Sequence, residues 1–520
     1  MAGEDDDLSD EAPTAADLVR VRKVLEAVVR DRSALSAIDA DEREALLMAA
    51  GRVSRPERNE LRKLRRVLRK QDREDQKAHD AALIESTGMR QARRESVFGV
   101  PETRGEAPGA PDGWTAKELK EPTACYICKA DFTELHHFYD QMCPPCAALN
   151  WSKRFQSADL TGKVVVITGA RVKIGYQAVL MLLRAGARVI ATTRFARDAA
   201  RRFAREPDHD VWASRLEVHG IDLRHVPSVE VFARHLLTTL PRLDALVNNA
   251  AQTVRHAPAF FGHLLPREAA SIDALPPAEA ALLRAGEGLK LRAQANDPSL
   301  LVGAQEDAAH AMVAWGGAPA LGLANPAGLS QLPLTPDDLD RDPALYPEAL
   351  DADEQQVDLR AVNSWRYGAD EVPTPELLET HLVNAIAPFL LTTRLAPLLE
   401  RSSPSHIVQV SAMEASFDRR VKTDRHPHTN MAKASLNMLT RTSAVDYAAR
   451  GIYMNSVDTG WVTDEDPYAH SVRKAHVHGF SPPLDAVDGA ARVLDPLFVG
   501  LTTGDHPWGH FFKDYGPVRW

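Results

Sequence analysis

The sequence predicts an α/β protein whose main domain is a doubly wound parallel sheet, preceded by a helical region and a small cysteine-bearing module. From residue 160 onward short apolar runs alternate with amphipathic helical patterns, the order that builds a parallel sheet with helices on both faces. The run Val164 to Ile167 is apolar throughout, as a strand buried on both faces must be, and it feeds a turn and then a helix beginning near Ile174. All four cysteines fall before it, in two close pairs.

At 520 residues the chain exceeds one ordinary core, and the composition divides it in three. Residues 1–115 read as a charged helical arm, with apolar positions three and four apart at Leu18, Val21, Val24, Leu25 and Val28. Ser54, Pro56 and Glu57 read as a capped start to a longer helix with the stripe Leu61, Leu64, Val67 and Leu68. The Gly/Pro-rich run 104–113 reads as a linker. Residues 116–156 form the cysteine module, and residues 157–520 the α/β domain. A long insertion at 253–372, rich in Ala, Pro and Asp, interrupts that domain; it is expected to carry helices such as Pro276–Ala295 and to cap a site.

No run of about twenty apolar residues occurs, so no membrane span is predicted. The acidic opening lacks the positive and apolar stretches of a secretory signal, which makes the cytoplasm the expected compartment. A net charge of −10 weighs against nucleic acid as the main partner, although a local basic face stays open.

In the cysteine module, Cys125-x2-Cys128 and Cys143-x2-Cys146 have the spacing of a tetrahedral zinc site. Four thiolates close the coordination shell, so the expected ion is structural, supplying folding energy that so short a module lacks. Disulfides and unconnected thiols are the other readings. His136 and His137 lie between the pairs and could replace a cysteine as ligand; with four cysteines present, the plainer reading is that they pack or face solvent.

The strand, turn and helix around 164–184 aim backbone N–H groups and the positive end of a helix dipole at a phosphate. Arg188 to Thr193 makes a second strand that ends in Arg194, where a carboxylate would favour NAD. With Arg171 and Lys173 nearby, this corner is cationic, which suits the 2′-phosphate of NADP; the plainer reading is three solvated surface charges.

These residues resemble the short-chain dehydrogenase/reductase family over about 160–520, apart from the insertion, and the resemblance implies a Rossmann-type fold. Its cofactor turn, Thr-Gly-x-x-x-Gly-x-Gly, matches Thr168, Gly169, Ile174 and Gly175, with Lys173 where the family has its middle glycine. Asp222 in GIDLR matches the adenine-contacting aspartate. LVNNAA at 246–251 matches a strand end that places Asn249 and Ala250 at the cofactor. Thr463, in NSVDTGWVTDE, matches a cofactor-contacting threonine.

The resemblance also implies the catalytic positions Asn384, Ser411, Thr429 and Lys433, and here the chain departs from the family. The family's Tyr-x-x-x-Lys pair shares one helix face, but position 429 is threonine, and Ala412 lies where the second serine of the strand is usual. A threonine hydroxyl is far less acidic than a phenol, so another acid must serve if chemistry continues. His426, His428 and Tyr468 are the candidates, each with a packing role as its alternative. The expected function is NADP(H)-dependent hydride transfer to or from a carbonyl or alcohol of a small molecule. The alternative is an NADP(H)-binding regulator or scaffold with impaired catalysis, and a third reading makes the arm and cysteine module a docking unit. Family members commonly form dimers or tetramers, which implies a homo-oligomer.

Overall fold

The computed structural model describes residues 12–95, 104–295, 297, 300, 320–419 and 421–520. The acidic residues 1–11 and residues 301–319 of the predicted insertion lie outside the described residues. The chain divides into two compact units, Met1–His79 and Asp80–Trp520.

The first unit is helical. Thr14 caps the helix Ala15–Arg30 through a reciprocal box with Asp17, and Asp39 caps Ala40–Ser54. Leu18, Val21, Val24, Leu64, Val67 and Leu68 are all exposed. Ser54 does not start a helix. It is the last residue of Ala40–Ser54 and its hydroxyl donates to Gly51 O at 3.0 Å, while the next helix, Arg58–Glu85, begins beyond the proline.

In the second unit, strands β1 (Lys117–Ala124) and β2 (Asp131–Leu135) form an antiparallel hairpin followed by the helix Pro144–Phe155. The remaining strands are β3 (Val164–Thr168), β4 (Arg188–Thr193), β5 (Leu216–Gly220), β6 (Ala245–Asn248), β7 (Ser405–Ser411), β8 (Ile452–Asp458), β9 (Phe511–Lys513) and β10 (Gly516–Val518). They make one sheet in the order β5-β4-β3-β6-β7-β8-β9-β10, parallel except for β10.

The alternation of side chains along each strand explains the two cores. Val165 and Ile167 join one apolar cluster, with Leu180, Leu183, Val487 and Leu494. Val164 and Val166 join another, with Phe232, Leu236, Leu391 and Leu395. The helix Lys173–Arg184 returns the chain from β3 to β4 and stops at Gly186, whose φ of +102° suits a residue without a Cβ. Strand order reverses between β3 and β6, which leaves a crevice at the carboxyl ends of those strands, where ligands of such sheets bind.

The predicted insertion carries the expected helix, Pro277–Gln294, which lies against β5 so closely that a Cβ on Gly286 would be 2.6 Å from Val218 O. Asn384 falls in a π-turn, Leu382–Ile386, between the helices Thr374–His381 and Ala387–Glu400. Together they are long and apolar enough to cross a membrane by length and composition, but Leu391, Leu395, Leu398 and Leu399 are buried in the core.

Candidate active site and metal centre

A cleft of about 1130 Å³ opens at the carboxyl ends of β3 to β8. The turn after β3 is shaped by close backbone approach. Gly169 has a φ of +71°, and a Cβ there would meet Ala250 Cα at 2.7 Å; one on Gly175 would lie 2.1 Å from Gly169 O. Asn249 holds this turn by donating to Thr168 O (3.0 Å) and Gly169 O (3.1 Å), and Ala250 N donates to the Thr168 hydroxyl at 3.0 Å. Lys173 takes the left-handed backbone of the glycine it replaces, with a φ of +53°. Its side chain turns to Glu465, with Nζ 3.7 Å from Oε1, and that carboxylate raises its pKa.

The three cations of this corner differ in their freedom. Arg171 is buried and pairs with Asp198 (2.9 Å) and Gln355 (2.9 Å), so it is no solvated charge and no open anion receptor. Lys173 is engaged by Glu465. Arg194 has no hydrogen-bond or ion-pair partner among the described residues; its guanidinium lies 4.9 Å from the Phe261 ring centre, and burial lowers its pKa to about 10. Asp222, the residue matched to an adenine-contacting aspartate, reaches the cleft, and its carboxylate is paired with Arg224 at 2.6 Å. Two further polar atoms on the wall, Thr192 Oγ1 and Gln252 Nε2, are buried without a partner, as in a crevice shaped for a polar ligand.

At the other end of the cleft, Lys433 and Ser411 line the wall. Lys433 Nζ donates to Val410 O at 2.6 Å, and burial lowers its pKa to about 8. Asn384 stands behind the wall, bonded through its amide to the backbone of Gln252, N–H to Oδ1 at 2.7 Å and Nδ2 to O at 3.0 Å. Thr429 is buried and does not line the cleft, whereas His426 does. The His426 ring stacks on Trp365 at 3.8 Å and 9°, its Nδ1 lies 3.0 Å from the Thr429 hydroxyl, and its backbone is left-handed, with a φ of +39°. The Thr429 hydroxyl donates to His426 O at 2.8 Å. With that hydrogen directed to His426 O, the ring contact is one in which Nδ1–H donates to the Thr429 oxygen.

The other two proposed acids are elsewhere. His428 is buried 3.4 Å from Glu376 and does not line the cleft, and Tyr468 starts the exposed helix Tyr468–His478. Thr463 does line the cleft and donates to Glu465 at 2.6 Å. Sequence reasoning missed Asp458, Lys513 and, from the cysteine module, Tyr126 and Lys129, all of which reach the same cleft. Asp458 accepts from Met413 N at 2.8 Å and lies 3.6 Å from Lys513; burial raises its pKa. From the insertion, His256, Phe260, Phe261, Gln355 and Trp365 line the cleft.

The four cysteines converge. Their sulfurs lie within 4.8 Å of one another, and Cys128 and Cys143 are 3.6 Å apart, against about 3.8 Å for thiolates around a tetrahedral zinc. Cys125 and Cys128 bracket a knuckle after β1, while Cys143 and Cys146 open the helix Pro144–Phe155. Burial pushes the Cys125 thiol up, but backbone N–H groups of Cys143, Cys128 and Ile127 outweigh it and bring the pKa to about 7. His136 and His137 pack instead: His136 Nδ1 accepts from Phe138 N at 3.1 Å, and His137 stands edge-on to Trp151. The donor set fits a soft divalent ion such as zinc.

The family described as short chain dehydrogenase matches residues 163–265, and the one described as Enoyl-(Acyl carrier protein) reductase matches 364–476. An uncharacterised protein of Acanthamoeba polyphaga mimivirus is 29% identical over 401 residues, covering 75% of this chain and 74% of that protein. Retinol dehydrogenase 14 of Mus musculus is 40% identical over 106 residues, but those cover only 19% of this chain and 31% of that enzyme. Among solved structures, carbonyl reductase Sniffer of D. melanogaster aligns with 69% of this chain and 99% of its own, at 16% identity and a TM-score of 0.39. The chain belongs to the short-chain dehydrogenase/reductase family, nucleotide-binding oxidoreductases that act on small molecules.

Proposed function

We propose that the protein is an NADP(H)-dependent oxidoreductase that interconverts a carbonyl and an alcohol, with His426 as its acid and base. The observation that carries the cofactor choice is Arg194, a guanidinium in the cleft with no carboxylate partner among the described residues, at the end of the strand where NAD-binding proteins place an acid. The bound dinucleotide supplies or accepts the hydride. The Gly169–Gly175 turn offers its backbone and the start of the helix Lys173–Arg184 to the phosphates, and Arg194 takes the 2′-phosphate. Lys433, charged below a pH of about 8, sits where it can hold a ribose hydroxyl. His426 Nε2 exchanges the proton of the substrate oxygen, and Thr429 and Trp365 fix the ring so that this nitrogen is the one presented.

The second reading, a regulator that binds the same nucleotide, keeps the frame and drops the chemistry. Mixing the purified chain with NADPH and a panel of aldehydes and ketones, and following nicotinamide absorbance, separates the two. Saturable NADPH binding with turnover supports the enzyme; saturable binding without turnover supports the regulator; no saturable binding removes both.

The four cysteines are proposed to hold one structural zinc per chain. Elemental analysis of the purified protein tests this. The exposed apolar residues Phe389, Met431, Met438 and Val445 on the helices Ala387–Glu400 and Pro427–Ala449 support the homo-oligomer that the family resemblance implies.

A further inference from the structure

The cysteine module is more than an attached stabilising unit, because its knuckle is part of the cleft wall. Tyr126 and Lys129, within and just after the Cys125–Cys128 pair, both line the cleft. Tyr126 Oη accepts the backbone N–H of Trp461 at 2.9 Å. That amide belongs to the 459–463 segment of the wall, which carries Thr463, and a Cβ on Gly460 would be 3.4 Å from the same phenol oxygen. Val462 from this segment, Ile174 from the phosphate turn, and Cys125 and Cys143 belong to one apolar cluster. The Lys513 ammonium lies 5.7 Å from the Tyr126 ring and 3.6 Å from Asp458, which accepts from Gly460 N at 3.2 Å. One knuckle thus meets both sides of the cleft, at the phosphate turn through apolar packing and at the 459–463 segment through a hydrogen bond.

We infer that Tyr126 is a positioning residue for the cofactor site and that metal bound by the four cysteines sets the dinucleotide affinity by fixing this knuckle. The physical reason is local. The knuckle backbone is held by Tyr126 N to Gln141 O at 2.8 Å, Cys125 N to Ala130 O at 2.9 Å and Lys129 N to Cys125 O at 3.1 Å, and an ion would tie that frame to the second cysteine pair, so losing the ion loosens the bond between Tyr126 and Trp461 and weakens the outer support of the 459–463 segment. The inference rests on the cofactor and metal readings above.

The test uses the full chain. Hydrogen–deuterium exchange of the peptide spanning 459–466 is measured with zinc-loaded protein, after chelation with EDTA, and in Tyr126→Phe, which keeps the ring and the cysteines. NADPH is titrated in parallel, and zinc content is determined for each sample. The expected results are faster exchange at 459–466 in both the chelated and the variant protein, about fivefold weaker NADPH binding in Tyr126→Phe with its zinc retained, and recovery of the chelated protein on adding zinc. Equal exchange and equal affinity in all three samples would overturn the inference. If the zinc-loaded wild type binds no NADPH, the cofactor reading falls and the affinity half of the inference with it, while the exchange data still decide whether the knuckle supports the segment. If the purified chain neither contains nor takes up zinc, the metal half is overturned, and Tyr126→Phe alone decides the positioning role.

Discussion

Lys173 and Glu465 face each other across the mouth of the phosphate turn, Nζ 3.7 Å from Oε1, both side chains partly exposed. The pair stands where a pyrophosphate would arrive, so a dinucleotide competes with Glu465 for the ammonium. Replacing the carboxylate should favour the ligand. In Glu465→Gln, NADPH is expected to bind about three- to tenfold more tightly, from a released pair worth about 1 kcal/mol. Calorimetric titration checks this, and unchanged affinity places the phosphates away from Lys173.

Arg194 is the test of cofactor choice. Its guanidinium is partly buried beside Phe261 and makes no hydrogen bond or ion pair with a carboxylate among the described residues, so Arg194→Ala removes a ligand contact at little cost to the fold. Binding of NADPH is expected to weaken about ten- to a hundredfold, the worth of a charge-assisted phosphate contact, while NADH binding stays the same. Equal losses for both nucleotides would mean that Arg194 does not meet the 2′-phosphate.

His426 is tested by His426→Phe, which retains a ring to stack on Trp365 and removes the exchangeable proton. Turnover is expected to fall by about 10² to 10⁴ with KM moved by less than about threefold. Burial lowers the His426 pKa from its ordinary value and neighbouring His428 adds to this, while Glu414 raises it. As the acid in reduction His426 must be protonated, so reduction should be favoured by acid and oxidation by neutral pH, and the variant should lose both dependences.

Lys433 gives a prediction in the alkaline range. Burial lowers its pKa to about 8 in the folded protein, against about 10.4 in the unfolded chain. Between these values the unfolded chain binds more protons, so the Lys433 contribution to stability rises with pH across that window. Turnover runs the opposite way, because the charge that would hold the ribose is lost above a pH of about 8. Denaturation and rate profiles between pH 7 and 10 check both, and Lys433→Met should flatten the stability rise.

Much of the α/β domain was legible because its signals are local. The all-apolar run of β3, the helix from Lys173 and the stop at Gly186 each follow from a few adjacent residues. The cysteine spacing was legible for the same reason, and the sulfurs do converge. The first unit was read less well: Pro56 was recognised as a boundary, but Ser54 was placed on the wrong side of it.

By itself the sequence determined the parallel sheet, the glycine turn, the pairing of cysteines and the absence of a tyrosine at Thr429. Only the tertiary structure decided which charges are free and which groups meet. Arg171 is neutralised by Asp198, Asp222 is held by Arg224, and Lys173 by a residue of the distant 459–466 segment, leaving Arg194 open. Strand and turn propensities depend on neighbours along the chain, whereas the partner of a charge depends on which remote segments packing brings within a few ångströms. For the same reason no motif foretold that His426 would lie on Trp365 or that a cysteine knuckle would bring Tyr126 to the cleft.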